Sequence, residues 1–283
     1  MPSRDNPWSW LIPRFPNRLK SYSHTSGELS ALNGIAGSMS EHVGIVHVVG
    51  QTTRTMQSNH MMIHHSIGQK PDHQQYNKAS EPLRYAAAGL WDVKTAPAEI
   101  DRVLRECFIK SGPVYIFLPL DLSAEMVDAE LLETPIDLEP YIDTTTQIKA
   151  VNSITAAIKS AKHPIILADA LVKRFNVSEE TIQLTNQLGV PSFSTSMGKG
   201  IMDEVDEMYV GVWNGAVSTP GVVKETEKSD LVITLGYLPA DTNSGGFSRN
   251  IKTENWIRID PFQVTVRAQY PRYVPEMDAS IDK

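Results

Sequence analysis

The chain has 283 residues, 41% of them hydrophobic, and carries a net charge of -7 at pH 7. That length and apolar content suit a globular protein of up to two domains with a sizeable core, and no stretch is apolar enough to span a membrane. The acidic balance, without a Lys/Arg cluster, argues against a nucleic-acid partner. The single cysteine, Cys107, excludes an internal disulfide and fits a reducing, cytoplasmic setting.

Residues 1–25 differ from the rest. Pro2, Pro7, Pro13 and Pro16 break any helix, and Arg4, Arg14, Arg18 and Lys20 outnumber Asp5. The segment reads as a disordered arm, since its prolines spoil the amphipathic helix that an import signal needs. From Ser26, which can cap a first turn, Leu29, Leu32, Ile35, Ala36 and Met39 recur at helical spacing, and Gly34 and Gly37 leave room for a close neighbour. An apolar run, Ile45 to Val49, closed by Gly50, predicts a buried strand. A loop bearing the adjacent pair His64 and His65 follows, and Gln69 to Asn77 continues it as polar loop.

Thr95 as cap, Pro97 in the first turn and an apolar face of Ile100, Val103, Leu104, Cys107 and Phe108 predict a helix ended by Gly112-Pro113. Cys107 falls on that face and reads as core. Val114 to Leu118 is an unbroken apolar run, the pattern of a parallel strand covered on both faces, so the fold class is α/β. Pro119 to about Thr146 is rich in Asp, Glu, Pro and Thr and reads as a linker. Beyond it Ile148, Val151, Thr155 and Ile158 mark a helix, Ile165 to Ala168 a buried strand and Ser178-Glu-Glu a capped helix start. Leu231 to Leu235 and Trp256 to Ile259 predict further strands. This second unit reads as a complete α/β layer domain.

Neighbouring histidines on a loop can donate, accept and relay protons near neutral pH, which makes His64 and His65 the candidate catalytic residues. His60, His64, His65 and His73 lie close enough in sequence for a zinc reading. No cysteine lies among them and Pro71 limits helix there, so no metal ligand is assigned. Met197-Gly-Lys-Gly200 lacks the glycine spacing and the Ser/Thr of a phosphate loop and reads as a turn. Gly236, Asp241 and Gly245-Gly246 follow a strand, where α/β sheets bind ligands.

The sequence from Ser26 onward resembles the thiamine-diphosphate-dependent 2-oxo-acid decarboxylases, with the fungal pyruvate decarboxylases nearest. The resemblance rests on Gly27-Glu-Leu-Ser-Ala-Leu-Asn-Gly-Ile-Ala-Gly-Ser38, Glu41-His42, His64-His65-Ser-Ile-Gly68, Thr95-Ala-Pro-Ala-Glu-Ile-Asp-Arg102 and Gly112-Pro-Val-Tyr115. Leu167-Ala-Asp-Ala170, Met197-Gly-Lys-Gly200 and Phe247-Ser248 continue it. It implies a partial pyrimidine-binding domain at 26–125, a linker at 126–146 and a parallel-sheet α/β middle domain at 147–283. It also implies thiamine diphosphate and magnesium as cofactors, a small 2-oxo acid as substrate, and proton transfer by His64 and His65. Arg174, soon after the Leu-Ala-Asp-Ala strand end, matches an arginine that contacts a regulatory substrate carboxylate in activated members.

The chain departs from that pattern too. The stretch after the histidine pair is not glycine-rich, Leu171 and Val172 stand where some members have cysteines, and Phe108 lacks a tyrosine hydroxyl. No match to the family's amino-terminal glutamate segment is found in residues 1–25, and no Gly-Asp-Gly occurs. The expectation is therefore a truncated decarboxylase-like chain without the main cofactor anchors and inactive alone. Ile45 to Val49 would have an unpaired neighbour, completed in a homo-oligomer or by a full-length homologue. Two alternatives stand beside it: a non-catalytic modulator of full-length subunits, and a repurposed cofactor-independent enzyme that uses the histidine pair.

Overall fold

The computed structural model describes residues 19–24, 27–63, 66–129 and 133–266. The chain divides into two units, Met1–Pro140 and Tyr141–Lys283, so the division falls inside the acidic segment 126–146.

In the first unit the elements run β1 (Leu19–His24), α1 (Glu28–Ser40), β2 (Ile45–Gln51), α2 (Arg54–Ser58), α3 (Gln75–Ser80), β3 (Ala86–Gly89), α4 (Ala96–Lys110) and β4 (Val114–Pro119). The sheet order is β1-β2-β4-β3, with every pairing parallel. Alternate residues of β4 serve two cores, as the two-residue period of a strand requires. Val114, Ile116 and Leu118 pack with Val46, Val48 and the α4 residues Ile100, Val103, Leu104 and Cys107. Tyr115 and Phe117 pack on the other face with Val49 and with Ile35 of α1. A strand covered on both faces becomes wholly apolar, and all six residues of β4 are buried. Each large aliphatic side chain buried in this way contributes about 1.5–3 kcal/mol.

The second unit runs α5 (Thr144–Ser160), β5 (Pro164–Ala168), α6 (Ala170–Arg174), α7 (Ser178–Leu188), β6 (Ser192–Ser194), β7 (Tyr209–Val212), α8 (Val222–Thr226), β8 (Leu231–Leu235), β9 (Trp256–Asp260) and β10 (Gln263–Val266). Its six-stranded sheet has the order β10-β9-β8-β5-β6-β7, parallel except for the antiparallel edge pair β9–β10. Ile166, Ala168, Ile233 and Leu235 face one core, and Ile165, Leu167 and Val232 face the other.

Several expectations need correction. Leu19 to His24, read as part of a disordered arm, form β1 and pair with β2 in register from Leu19 opposite Ile45 to His24 opposite Gly50, so β2 is not left without a neighbour. The stretch lies past the last proline of the arm and has little apolar signal of its own. The open ladder of β2 supplies its partner groups. The remaining residues of 1–25 lie outside the described residues, as does Ser26.

On α1 the buried side chains are Glu28, Ile35 and Ser38, while Leu29 is 40% exposed. A Cβ at Gly34 or Gly37 would meet nothing within 4 Å among the described residues, so neither glycine serves a close approach there. Thr95 occupies the cap position of α4 without a side-chain cap, its hydroxyl donating instead to the Asp92 carbonyl. Val177 rather than Ser178 is the cap residue of α7. The polar loop ends at Gln74, the cap residue of α3, rather than running on to Asn77. On α5, Ile148 and Val151 are exposed, and the face turned to the core carries Ile154, Ala157 and Ile158.

Candidate functional site

His64 and His65 lie outside the described residues, but the segments on either side of them are described. α2 is capped by Thr53, whose hydroxyl accepts from the Met56 N–H at 3.2 Å. Gln57 on that helix donates to the Thr52 carbonyl at 2.7 Å and accepts from Gln74 Nε2 at 2.6 Å, and Gln74 Oε1 accepts from Asn77 at 2.9 Å. These amides tie the end of β2 to the start of α3.

Two further histidines sit inside this frame. His73 is buried, with Nδ1 3.0 Å from Thr52 Oγ1 and Nε2 3.0 Å from the Met61 carbonyl. A carbonyl oxygen only accepts, so Nε2 carries a proton, and in the neutral ring Nδ1 accepts from the Thr52 hydroxyl. His60, in a left-handed conformation at φ 50°, places Nδ1 3.0 Å from the Pro71 carbonyl. Ile63 and Ser66 are joined twice: the Ile63 N–H donates to Ser66 Oγ at 3.1 Å, and the Ser66 N–H donates to the Ile63 carbonyl at 3.0 Å. Among the described residues no three His, Cys, Asp or Glu side chains come together as metal ligands.

Behind the sheet of the same unit lies a polar cluster that sequence reasoning missed. Glu28 is only 1% exposed, and its Oε1 has no hydrogen-bond partner among the described residues. Burial pushes its carboxyl up to about 7, against the opposing pull of Arg84 and the Ser80 hydroxyl. The Arg84 guanidinium donates to Ser80 Oγ at 2.7 Å and Asn77 Oδ1 at 2.6 Å, and lies 5.2 Å from the ring centres of Tyr115 and Phe117. Burial, then the Glu28 charge, push the Tyr115 hydroxyl up to about 12. The His47 ring, edge-on to Tyr115 at 4.8 Å, is pushed down by burial. The available signal was a carboxylate at position 28, one helical face with Ile35 seven residues on.

In the second unit, the fully buried Asp169 fastens the loops at the ends of three strands. Its carboxylate accepts from the Ala170 N–H at 2.6 Å, Thr195 Oγ1 at 2.5 Å, the Leu238 N–H at 2.9 Å and Asn243 Nδ2, 2.9 Å from both oxygens. Asn243 Oδ1 in turn accepts from the Met197 N–H at 2.9 Å. Five donor contacts compensate the buried charge. Met197-Gly-Lys-Gly200 is a turn, and a Cβ at Gly198 would lie 2.4 Å from the Ala168 carbonyl oxygen. Arg174 ends α6, the short helix that Asp169 caps, and is half-buried.

Residues 151–278 match the family described as thiamine pyrophosphate enzyme, central domain. The second unit thus matches the central domain of thiamine pyrophosphate enzymes, and the whole chain resembles these proteins in sequence and fold. It is similar to fungal pyruvate decarboxylases. It is 42% identical to the pyruvate decarboxylase of Candida glabrata and 41% identical to pyruvate decarboxylase isozyme 1 of Saccharomyces cerevisiae, each over 248 residues. That alignment is longer than either unit alone and covers 87% of this chain but 44% of each relative, so the chain spans less than half of their length. A solved structure assigned as a thiamin diphosphate-dependent enzyme from Mycobacterium smegmatis shares the fold, with a TM-score of 0.54 at 17% identity over 80% of this chain and 42% of that one.

Proposed function

We propose that this chain serves the non-oxidative decarboxylation of a small 2-oxo acid, pyruvate in the first instance, to an aldehyde and CO2, in an oligomer with full-length homologous subunits. The observation that carries this reading is the 42% identity to a pyruvate decarboxylase through both units. His64 and His65 are assigned the proton transfers, each imidazole being able to hold or release a proton near neutral pH. Arg174, at the end of α6, is assigned the carboxylate of a second, regulatory substrate molecule, which a guanidinium can hold through two parallel hydrogen bonds.

Thiamine diphosphate, when bound, supplies the electron sink for the decarboxylation. The cofactor's diphosphate and metal are assigned in this reading to the full-length partner, and no step is routed through them from residues of this chain.

The test is aldehyde release from pyruvate, with thiamine diphosphate and magnesium, by the chain mixed with full-length fungal subunits that have lost their own histidine pair. Restored release supports the proposal, and no release above that of the inactivated subunits alone overturns it.

A further inference from the structure

We propose that His60 and His73 are positioning residues that clamp together the two described stretches between α2 and α3, 59–63 and 66–74, which flank His64 and His65 in the sequence. Only the catalytic consequence of this clamp rests on the decarboxylase reading above. The two bonds cross the loop in opposite directions. His60, on the entry side, reaches the Pro71 carbonyl on the exit side, and His73, on the exit side, reaches the Met61 carbonyl on the entry side. Thr52, the residue after β2, holds the far nitrogen of His73 and so ties the crossing to the end of the sheet.

Apolar packing cannot do this work. Met61, Met62 and Ile67 are 46%, 60% and 58% exposed, so the loop contributes little side-chain burial of its own. A loop without such packing opens locally at little cost, and side-chain bonds to its backbone are what remains to hold it. His73 is the buried member, and its two ring nitrogens are both engaged, which leaves it no lone pair for a metal or a substrate.

In their neutral forms the two rings take opposite tautomers. His73 carries its proton on Nε2 and His60 on Nδ1, because each of those atoms faces a carbonyl oxygen.

The experiment is long-range proton–nitrogen NMR of the full chain, with amide exchange of wild type, His73→Ala and His73→Asn. Opposite tautomers are expected in the wild type. His73→Ala should raise exchange at Met61, Ile63 and Ser66, whose N–H groups are bonded, by about tenfold, the loss of one or two net hydrogen bonds, while β2 and β4 stay unchanged. His73→Asn, which restores an N–H donor, should recover part of that protection. In the mixed-subunit aldehyde assay His73→Ala should lower kcat with KM unchanged.

Unchanged loop exchange, the reverse tautomers, or a rise spread over β2 and β4 would overturn the clamp. Because exchange and tautomers are read without substrate, they test the clamp even if the aldehyde assay yields nothing.

Discussion

The guanidinium of Arg84 is bonded to Asn77, 2.6 Å from its Oδ1, and this commits the cation that acts on Glu28 to α3, while Glu28 Oε1 has no hydrogen-bond partner among the described residues. Burial there outweighs Arg84 and raises the carboxyl to about 7, so it keeps its proton below that pH. The sign of the pH dependence follows. Between about pH 4.5, where the unfolded glutamate ionises, and about 7, the folded protein binds the extra proton, so stability falls as pH rises through that window. Glu28→Gln removes this slope. Urea midpoints at pH 5 and pH 8 should converge in the variant and differ in the wild type by an amount on the order of 2 kcal/mol, each pKa unit being worth about 1.4 kcal/mol. Identical slopes in the two proteins would refute the assignment.

Asp169 is the corresponding prediction for the second unit. Asp169→Ala removes the acceptor shared by Thr195, Leu238, Asn243 and Ala170 and leaves buried donors unmet. The expected cost is about 3–5 kcal/mol, the size seen when a buried charged network loses a member. Asp169→Asn should also destabilise, since its amide turns a donor toward Asn243 Nδ2. Thermal melts followed through Trp213 and Trp256, both in this unit, provide the measurement.

Two glycines should respond in opposite ways to the same substitution. At Gly198 a Cβ would lie 2.4 Å from the Ala168 oxygen and 2.9 Å from Asp169 Cα, so Gly198→Ala forces the turn away from the strand end. At Gly34, within α1, a Cβ meets nothing within 4 Å, and alanine has the better helix propensity. Gly34→Ala should therefore stabilise by about 0.5–1 kcal/mol and Gly198→Ala should destabilise by about 1–3 kcal/mol. Chemical denaturation of the two variants decides.

Where burial is two-sided, the amino-acid order alone declares the element. Val114 to Leu118 is one apolar run because both faces of β4 are covered, and Ile100, Val103, Leu104 and Cys107 mark the single face that α4 turns to it. Legibility fails where a partner decides. β1 has few apolar residues and exists through its ladder with β2, which lies more than 20 residues away in the chain. The exposed Ile148 on α5 and the buried Glu28 on α1 mislead for a shared reason: hydrophobic spacing ranks side chains by type, whereas the face that packs is set by the sheet beneath.

For the candidate site, the sequence pointed to His64 and His65, which lie outside the described residues. It could not reveal that His73 folds back to Thr52 and Met61, because that contact depends on how the chain crosses itself.

The most direct measurement is aldehyde release from pyruvate, with thiamine diphosphate and magnesium, by full-length fungal subunits lacking their own histidine pair. It is run with the wild-type chain and with the His64→Ala, His65→Ala double variant side by side. The account predicts release with the wild-type chain and none above background with the variant. Release with neither chain would contradict a catalytic role, and equal release with both would mean that the chain modulates its partner without lending it the histidines.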